Sequence, residues 1–279
     1  MNAIAQSEFL RLQEYLHSAS GIDVSWDKRY LFETRLGELL NRHDNSFASL
    51  CDRLEDDRAL GRRLVELMTT GETAFFRDGH PFSTLRRKIF PELAAQRSAE
   101  ALRIRPRLRV LSLGCSTGEE PYSVAACLHA WLDTQDVFEA RDVSVLAIDI
   151  SPEALRHALD ARYPATRFDT LPPEYRVYFE QRADVMLPLP GLRSSVVFHE
   201  ANLVDPLAHL GCFDVVLCRN VIIYFDLEMR RRVIASIFEM LRPQGVLLLG
   251  ASENLYQISD AFRLVQFGST SFYRKEYEP

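Results

Sequence analysis

Residues 109–124, Arg-Val-Leu-Ser-Leu-Gly-Cys-Ser-Thr-Gly-Glu-Glu-Pro-Tyr-Ser-Val, leave this chain few folds to choose from. Val110 to Leu113 form a short, largely apolar run between polar residues, which is the pattern of a parallel strand covered on both faces. Gly114 and Gly118 flank Cys115, Ser116 and Thr117, so the backbone can bend sharply and a ligand can come close to it. From about Gly118 to Leu132, Val124, Ala125, Leu128 and Leu132 share one stripe, which predicts an amphipathic helix. Strand, tight turn and helix open an α/β unit whose crevice lies at the strand's carboxyl end.

The charge at that crevice narrows its ligand. A helix start with bare amides favours phosphate, but Glu119 and Glu120 would repel a pyrophosphate while gaining from the helix dipole. The pocket prefers a cation, and S-adenosylmethionine, with its sulfonium and amino group, fits. A second apolar strand, 143–150, ends in Asp149 just before Ser151-Pro-Glu, which reads as a helix cap with proline in the first turn. A carboxylate at that strand tip can accept from both ribose hydroxyls. It could otherwise cap the next helix, a role Ser151 already fills.

The 279 residues are 47% hydrophobic, enough for two domains or one large one with an ample core. A net charge of -6 argues against nucleic acid or an anionic membrane as partner. Cys51, Cys115, Cys127, Cys212 and Cys218 show neither CxxC spacing nor nearby paired histidines, so reduced thiols are expected, with no metal. There is no leader-like amino terminus and no apolar run of membrane-spanning length, so a cytoplasmic location is expected without membrane insertion. Helical periodicity over residues 1–96, as in Phe9, Leu12, Tyr15 and Leu16, predicts a small all-α domain. Residues 97–108 read as a linker. From 109 to 279 strands alternate with helices, near 109–114, 143–149, 195–201, 213–219 and 245–251, with a last pair at 262–267 and 270–275. That order predicts a Rossmann-like, doubly wound α/β sheet closed by an antiparallel edge hairpin. Within it, 163–195 is too long for a simple loop and reads as an inserted subdomain, either functional or an embellishment.

The fourth strand runs through Phe213-Asp-Val-Val-Leu-Cys into Arg219, Asn220 and Tyr224, on the lip of the same crevice, where reacting groups sit in open α/β sheets. A nucleic-acid amino methyltransferase would show Asn/Asp-Pro-Pro-Tyr/Phe at this corner, and Arg-Asn-Val-Ile-Ile-Tyr differs. A nicotinamide-dependent dehydrogenase would want Gly-x-Gly-x-x-Gly and an acidic residue about 20 positions on; neither is present.

Five blocks in order, Met68-Thr-Thr-Gly-Glu-Thr-Ala-Phe-Phe-Arg-Asp78, Ser116–Ser123, Asn202-Leu203, Cys218–Asp226 and Gly250-Ala-Ser-Glu-Asn254, resemble the signature of the bacterial chemoreceptor glutamate methyltransferases, the CheR family. The resemblance spans nearly the whole chain. It implies an S-adenosylmethionine-dependent (class I) methyltransferase domain behind a small helical domain. The implied reaction esterifies glutamates on the cytoplasmic helical bundle of a methyl-accepting chemoreceptor, with S-adenosylhomocysteine as product. It also implies that Thr73 and Arg77 reach over the cofactor, that Gly114 shapes the turn beneath it, and that Glu120 and Asp149 hold its amino-acid or ribose portion. Asn202 and Leu203 would lie on the adenine side and Arg219 and Asn220 beneath the methionyl moiety. Arg77 and Tyr224 would stand nearest the transferred methyl, with Arg77 orienting either the incoming carboxylate or the cofactor's own. A cofactor-binding signalling module without catalysis is the alternative.

A glutamate carboxylate, with a reference pKa of about 4.3, is already a nucleophile at neutral pH, so no His-centred base is expected. Positioning carries the catalysis. Two departures from the family stand out. Gly71 occupies a position where many members have Asn, which removes a side-chain contact but not a backbone one. The stretch from Phe179 to Asn202 is shorter than in members that capture a receptor tail peptide by strand addition. Direct docking on the receptor helices, by a monomer, is therefore expected. Lys28, Arg29, Arg35 and Arg42 fall on or near one predicted helix and could face an acidic receptor, though Glu33 and Glu38 interrupt them.

Overall fold

The computed structural model describes residues 3–41, 46–69, 71–100 and 107–276. The first helices are α1 (Gln6–Ser20), α2 (Tyr30–Arg35), α3 (Gly37–Asn41), α4 (Phe47–Leu54) and α5 (Arg58–Met68). Ser46 caps α4 by accepting from Ser49 N, and Asp57 caps α5 by accepting from Ala59 N and Leu60 N, which satisfies amides that a helix start leaves open. The expected single basic helix is broken: Leu36 separates α2 from α3, and Arg35 turns inward to donate to the Met68 carbonyl at 2.8 Å. Lys28 and Arg29 precede α2, and Arg42 lies outside the described residues.

A second helical stretch follows, α6 (His80–Thr84), a π turn over Leu85–Ile89, and α7 (Phe90–Glu100). Then come β1 (Leu108–Leu113), α8 (Glu119–Leu132), β2 (Val143–Asp149), α9 (Pro152–Asp160), β3 (Tyr163–Pro164), α10 (Thr166–Thr170), β4 (Phe179–Arg182) and β5 (Val185–Pro188). The chain ends with α11 (Pro190–Ser194), β6 (Val196–Glu200), β7 (Phe213–Cys218), α12 (Leu227–Met240), β8 (Leu241–Leu249), β9 (Phe262–Phe267) and β10 (Thr270–Lys275). Seven strands form one sheet in the order β6-β2-β1-β7-β8-β10-β9. β10 is antiparallel to both its neighbours, and the pairs from β6 to β8 are parallel. This is the expected doubly wound sheet with its edge hairpin. Leu113 is in register with Ile148 and with Cys218, so the loops leaving β1, β2 and β7 emerge together at one edge.

Alternation along each strand sorts side chains to two faces. Val110, Val215, Leu217 and Leu248 join one apolar cluster with α8 and with residues from Phe75 to Ala94. Leu111, Leu113, Val216 and Leu247 join the other, with α12 and the helices α1 to α5. Helical periodicity alone had grouped residues 1–96 together, but those from Phe75 onward share the sheet's core, so the structural division falls soon after α5. Residues 101–106 of the expected linker lie outside the described residues. Its flanks meet at Asp214, whose buried carboxylate accepts from Arg97 Nε at 2.8 Å, Arg109 N at 2.8 Å and Arg242 Nη1 at 3.0 Å. Buried charge persists when it is bonded in this way.

Two local expectations change. α8 is not amphipathic: it is buried nearly all round, from Tyr122 to Trp131, because the α6–α7 stretch covers the side turned from the sheet. The 163–195 region contains a small antiparallel sheet, β3-β5-β4, that braces the site. The Tyr163 hydroxyl donates to the Thr117 carbonyl at 2.7 Å, Phe75 packs edge-on against Tyr163 and Phe179, and Phe76 stacks on Tyr175. No helix among the described residues is long and apolar enough to cross a membrane.

Candidate active site

The turn after β1 is built as a cradle. Gly114 and Gly118 have φ of 65° and 95°, and Ser116, which is not glycine, also lies in the left-handed region at 49°. The glycines serve close packing rather than ligand approach alone. A Cβ on Gly114 would stand 2.6 Å from Val221 Cγ2, and one on Gly118 would meet Ala158 Cβ and the Tyr163 hydroxyl at 2.9 Å. The bent turn aims the Ser116 amide at Asp149 Oδ2, 2.7 Å away, while Asp149 Oδ1 accepts from Ser151 N at 2.9 Å. Burial pushes Asp149 above the usual carboxylate range, with the amides of Ser151 and Ser116 opposing it. Ser151 caps α9 itself, accepting from Ala154 N at 3.1 Å, so Asp149 has lone pairs left for a ligand.

A cavity of about 330 Å3 opens beside this cradle. Gly114, Asp149, Asn202, Leu203, Asn220 and Tyr224 line it. A smaller cleft of about 40 Å3 adjoins it through Gly114, Ser116 and Asn220, and is lined by Thr73, Arg77, Glu120 and Arg219. Ten residues drawn from five separate stretches of chain thus meet in one continuous space. The helical part also contributes wall, through Ser20, Ile22 and Glu66, which no block of the sequence marks, and through Met68 and Thr69, which open the first marked block.

The two acidic residues that open α8 separate in space. Glu119 is 5% exposed and accepts from the Thr117 hydroxyl at 2.7 Å, away from both spaces. Glu120 lines the cleft but is not bare: Ser112 Oγ donates to Oε1 at 2.8 Å and Arg219 Nη1 to Oε2 at 2.9 Å. Arg219 also pairs with Asp78 at 2.7 Å, donates to the Arg77 carbonyl at 2.9 Å and lies over the Phe82 ring. Arg77 differs. Its one hydrogen bond goes from Nη1 to the Glu72 carbonyl at 3.1 Å, and no carboxylate among the described residues pairs with it. Phe76 and Asp78, on either side of it, have φ of 51° and 69°. Such backbone persists only where its surroundings over-determine it, and here the ring contacts of Phe75 and Phe76 hold it.

On the opposite wall, Tyr224 is half-buried and its carbonyl accepts from Asp23 N at 2.9 Å, while Ile22 bridges Phe225. Asn202 lines the cavity while its side-chain amide is engaged elsewhere. It donates to the Ala19 carbonyl at 2.7 Å, tying α1 to the loop after β6, and its Oδ1 accepts weakly from Val204 N at 3.3 Å. Gly71 keeps a backbone contact, its carbonyl accepting from Ser116 Oγ at 3.1 Å.

Around the cleft three carboxylates, Glu72, Asp78 and Glu120, face two guanidinium groups, Arg77 and Arg219. The balance suits a zwitterion that carries one further positive charge. A nucleoside bearing a sulfonium and an amino acid matches this donor set: the Asp149 carboxylate for hydroxyls, carboxylates for cationic centres, and, without partners among the described residues, the Arg77 guanidinium as a carboxylate ligand and the buried Arg219 Nε. Asp78 and Glu253, missed as site residues, both sit inside blocks the sequence already marked.

Residues 71–270 match the family model described as CheR methyltransferase, SAM binding domain, and residues 7–69 match CheR methyltransferase, all-alpha domain. Chemotaxis protein methyltransferase 1 of Pseudomonas aeruginosa is 34% identical over 280 residues, covering 97% of this chain and 98% of the relative. The chemotaxis protein methyltransferase of Vibrio parahaemolyticus is 35% identical over 281 residues, with coverage of 97% and 98%.

Proposed function

This chain belongs to the CheR methyltransferase family, and from that premise we propose that it esterifies glutamate side chains on the cytoplasmic helical bundle of a methyl-accepting chemoreceptor, acting as a monomer in the cytoplasm. The observation that carries this reading is the contrast between two arginines. Arg219 is buried and its two terminal nitrogens are ion-paired with Glu120 and Asp78, so it is wall; Arg77 lines the same cleft with no anionic partner among the described residues, so it can take a carboxylate. Planar guanidinium groups bind carboxylates with two parallel hydrogen bonds.

S-adenosylmethionine, when bound, supplies a methyl group on a sulfonium that is its own leaving group. Everything else falls to side chains of this chain. Asp149 would accept from the ribose hydroxyls, Glu120 and Thr73 would hold the amino-acid end, and Leu203 with the backbone at Asn202 would flank the adenine. Arg77 would orient the acceptor carboxylate, which needs no base because it is ionised at neutral pH. Tyr224, whose hydroxyl has no partner among the described residues, would close the opposite side of the reacting centre. Holding reactants in line can lower a barrier by roughly 7–11 kcal/mol. The short edge strand β4, with Glu180 and Arg182 ion-paired at 2.7 Å, has the charged edge that discourages strand addition, which supports docking on receptor helices without a tail-peptide anchor.

The deciding experiment supplies methyl-labelled S-adenosylmethionine with an intact receptor and with one lacking its C-terminal tail. Base-labile label on receptor glutamates is expected, at equal rates for both. A rate that collapses without the tail would overturn direct docking, and cofactor binding without label would make this a sensing module. At the ribose end, Asp149→Asn is expected to weaken S-adenosylhomocysteine binding roughly 10- to 100-fold, the value of a hydrogen-bonded buried charge. Calorimetry showing wild-type affinity would remove Asp149 from that contact.

A further inference from the structure

We infer that Glu253 is the positioning residue for the corner that carries Asn220 and Tyr224. Its role rests on the reaction proposed above and deepens it. The Glu253 carboxylate accepts four backbone N–H groups: Oε2 from Asn220 at 2.7 Å and Gly250 at 2.7 Å, Oε1 from Val221 at 2.9 Å and Ile223 at 3.3 Å. An ionised carboxylate is an acceptor alone, with about four lone-pair sites. Donors and acceptors are therefore matched in number.

No other acceptor among the described residues is recorded for these four amides. Asn220 adopts φ 58°, which breaks strand geometry just after β7 and turns successive N–H groups toward one point. Converging amides of this kind make a concavity that selects an anion. The end of β8 approaches closely enough to supply it only because residue 250 is glycine: a Cβ there would lie 2.7 Å from Glu253 Oε2 and 2.9 Å from Asn220 N. Ile222 and Phe225, 2% and 6% exposed, hold the far end of the corner in the core. The carboxylate instead sets the near end, where Asn220 and Val221 border the cavity.

The isosteric change is the informative one. In Glu253→Gln a single carbonyl oxygen remains, and the new NH2 faces amides that are themselves donors. Two of the four bonds are lost, so the corner must shift while its apolar anchors keep the chain folded. A misplacement of about 1 Å in a reacting group can cost on the order of 10²-fold in rate. With saturating S-adenosylmethionine and receptor, Glu253→Gln is expected to lower kcat per folded molecule by about that factor, with the receptor KM unchanged. Glu253→Asp, which keeps the charge, is expected to recover part of it. The amide proton resonances of Asn220 and Val221, now on a carboxylate, are expected to move upfield in Glu253→Gln. Wild-type kcat in Glu253→Gln, or a loss that merely tracks the fraction unfolded, would overturn the inference. Failure of the wild-type enzyme to label any receptor would instead strike the proposed reaction, leaving the amide shifts to report on the clamp.

Discussion

Arg77→Ala is expected to lower methyl transfer at saturating cofactor and receptor by about 10²-fold or more, the usual cost of deleting one preorganised charged donor at a reacting centre. The size follows from its environment. A guanidinium held by left-handed backbone at Phe76 and Asp78, anchored by stacked rings, and bonded among the described residues only to the Glu72 carbonyl is preorganised for an anion that those residues do not supply. Thermal unfolding should stay near wild type, because no ion pair is lost. Two measurements separate its possible partners. If Arg77 orients the acceptor, S-adenosylhomocysteine affinity in Arg77→Ala stays close to wild type while kcat falls; if it holds the cofactor's carboxylate, affinity falls in step. A wild-type rate under saturating conditions would remove Arg77 from the reacting centre altogether.

Arg219→Met is expected to act on the fold instead, lowering stability by about 3 kcal/mol in urea unfolding. Arg219 is 2% exposed at its side chain and neutralises Glu120, itself 13% exposed, as well as Asp78. Removing the guanidinium leaves a buried carboxylate with only the Ser112 hydroxyl, and an uncompensated buried charge costs far more than a buried pair contributes. Arg219→Met combined with Glu120→Gln should therefore recover much of the loss, since the orphaned charge goes too. An unfolding midpoint for Arg219→Met equal to wild type would show that the pair carries no structural load.

Much of this was legible in the chain. The strands near 143 and 213 begin where their apolar runs begin, because parallel strands covered on both faces must be largely apolar. Ser151 capped its helix as its side chain and following proline required. The failures share a cause. α8 reads as amphipathic until the α6–α7 stretch, distant in sequence, is seen to bury its outer side. Residues 80–94 read as part of the helical domain because periodicity reports that a helix has an apolar face and says nothing about what covers it. The partner of the Asn202 amide, the Ala19 carbonyl, lies 183 positions away, and no local pattern marks it.

The amino-acid sequence by itself determined the sheet, the tight turn after β1 and the carboxylate at the tip of β2, since each depends on local pattern: a continuous apolar run, glycine where φ is positive, a polar residue where a strand ends. Tertiary structure decided the charge state of the site. Whether Glu120 presents a bare anion, whether Arg77 or Arg219 is the free cation, and what fixes the Tyr224 corner all depend on partners brought from distant stretches, and electrostatic energy is set by distance and burial, which no local pattern encodes.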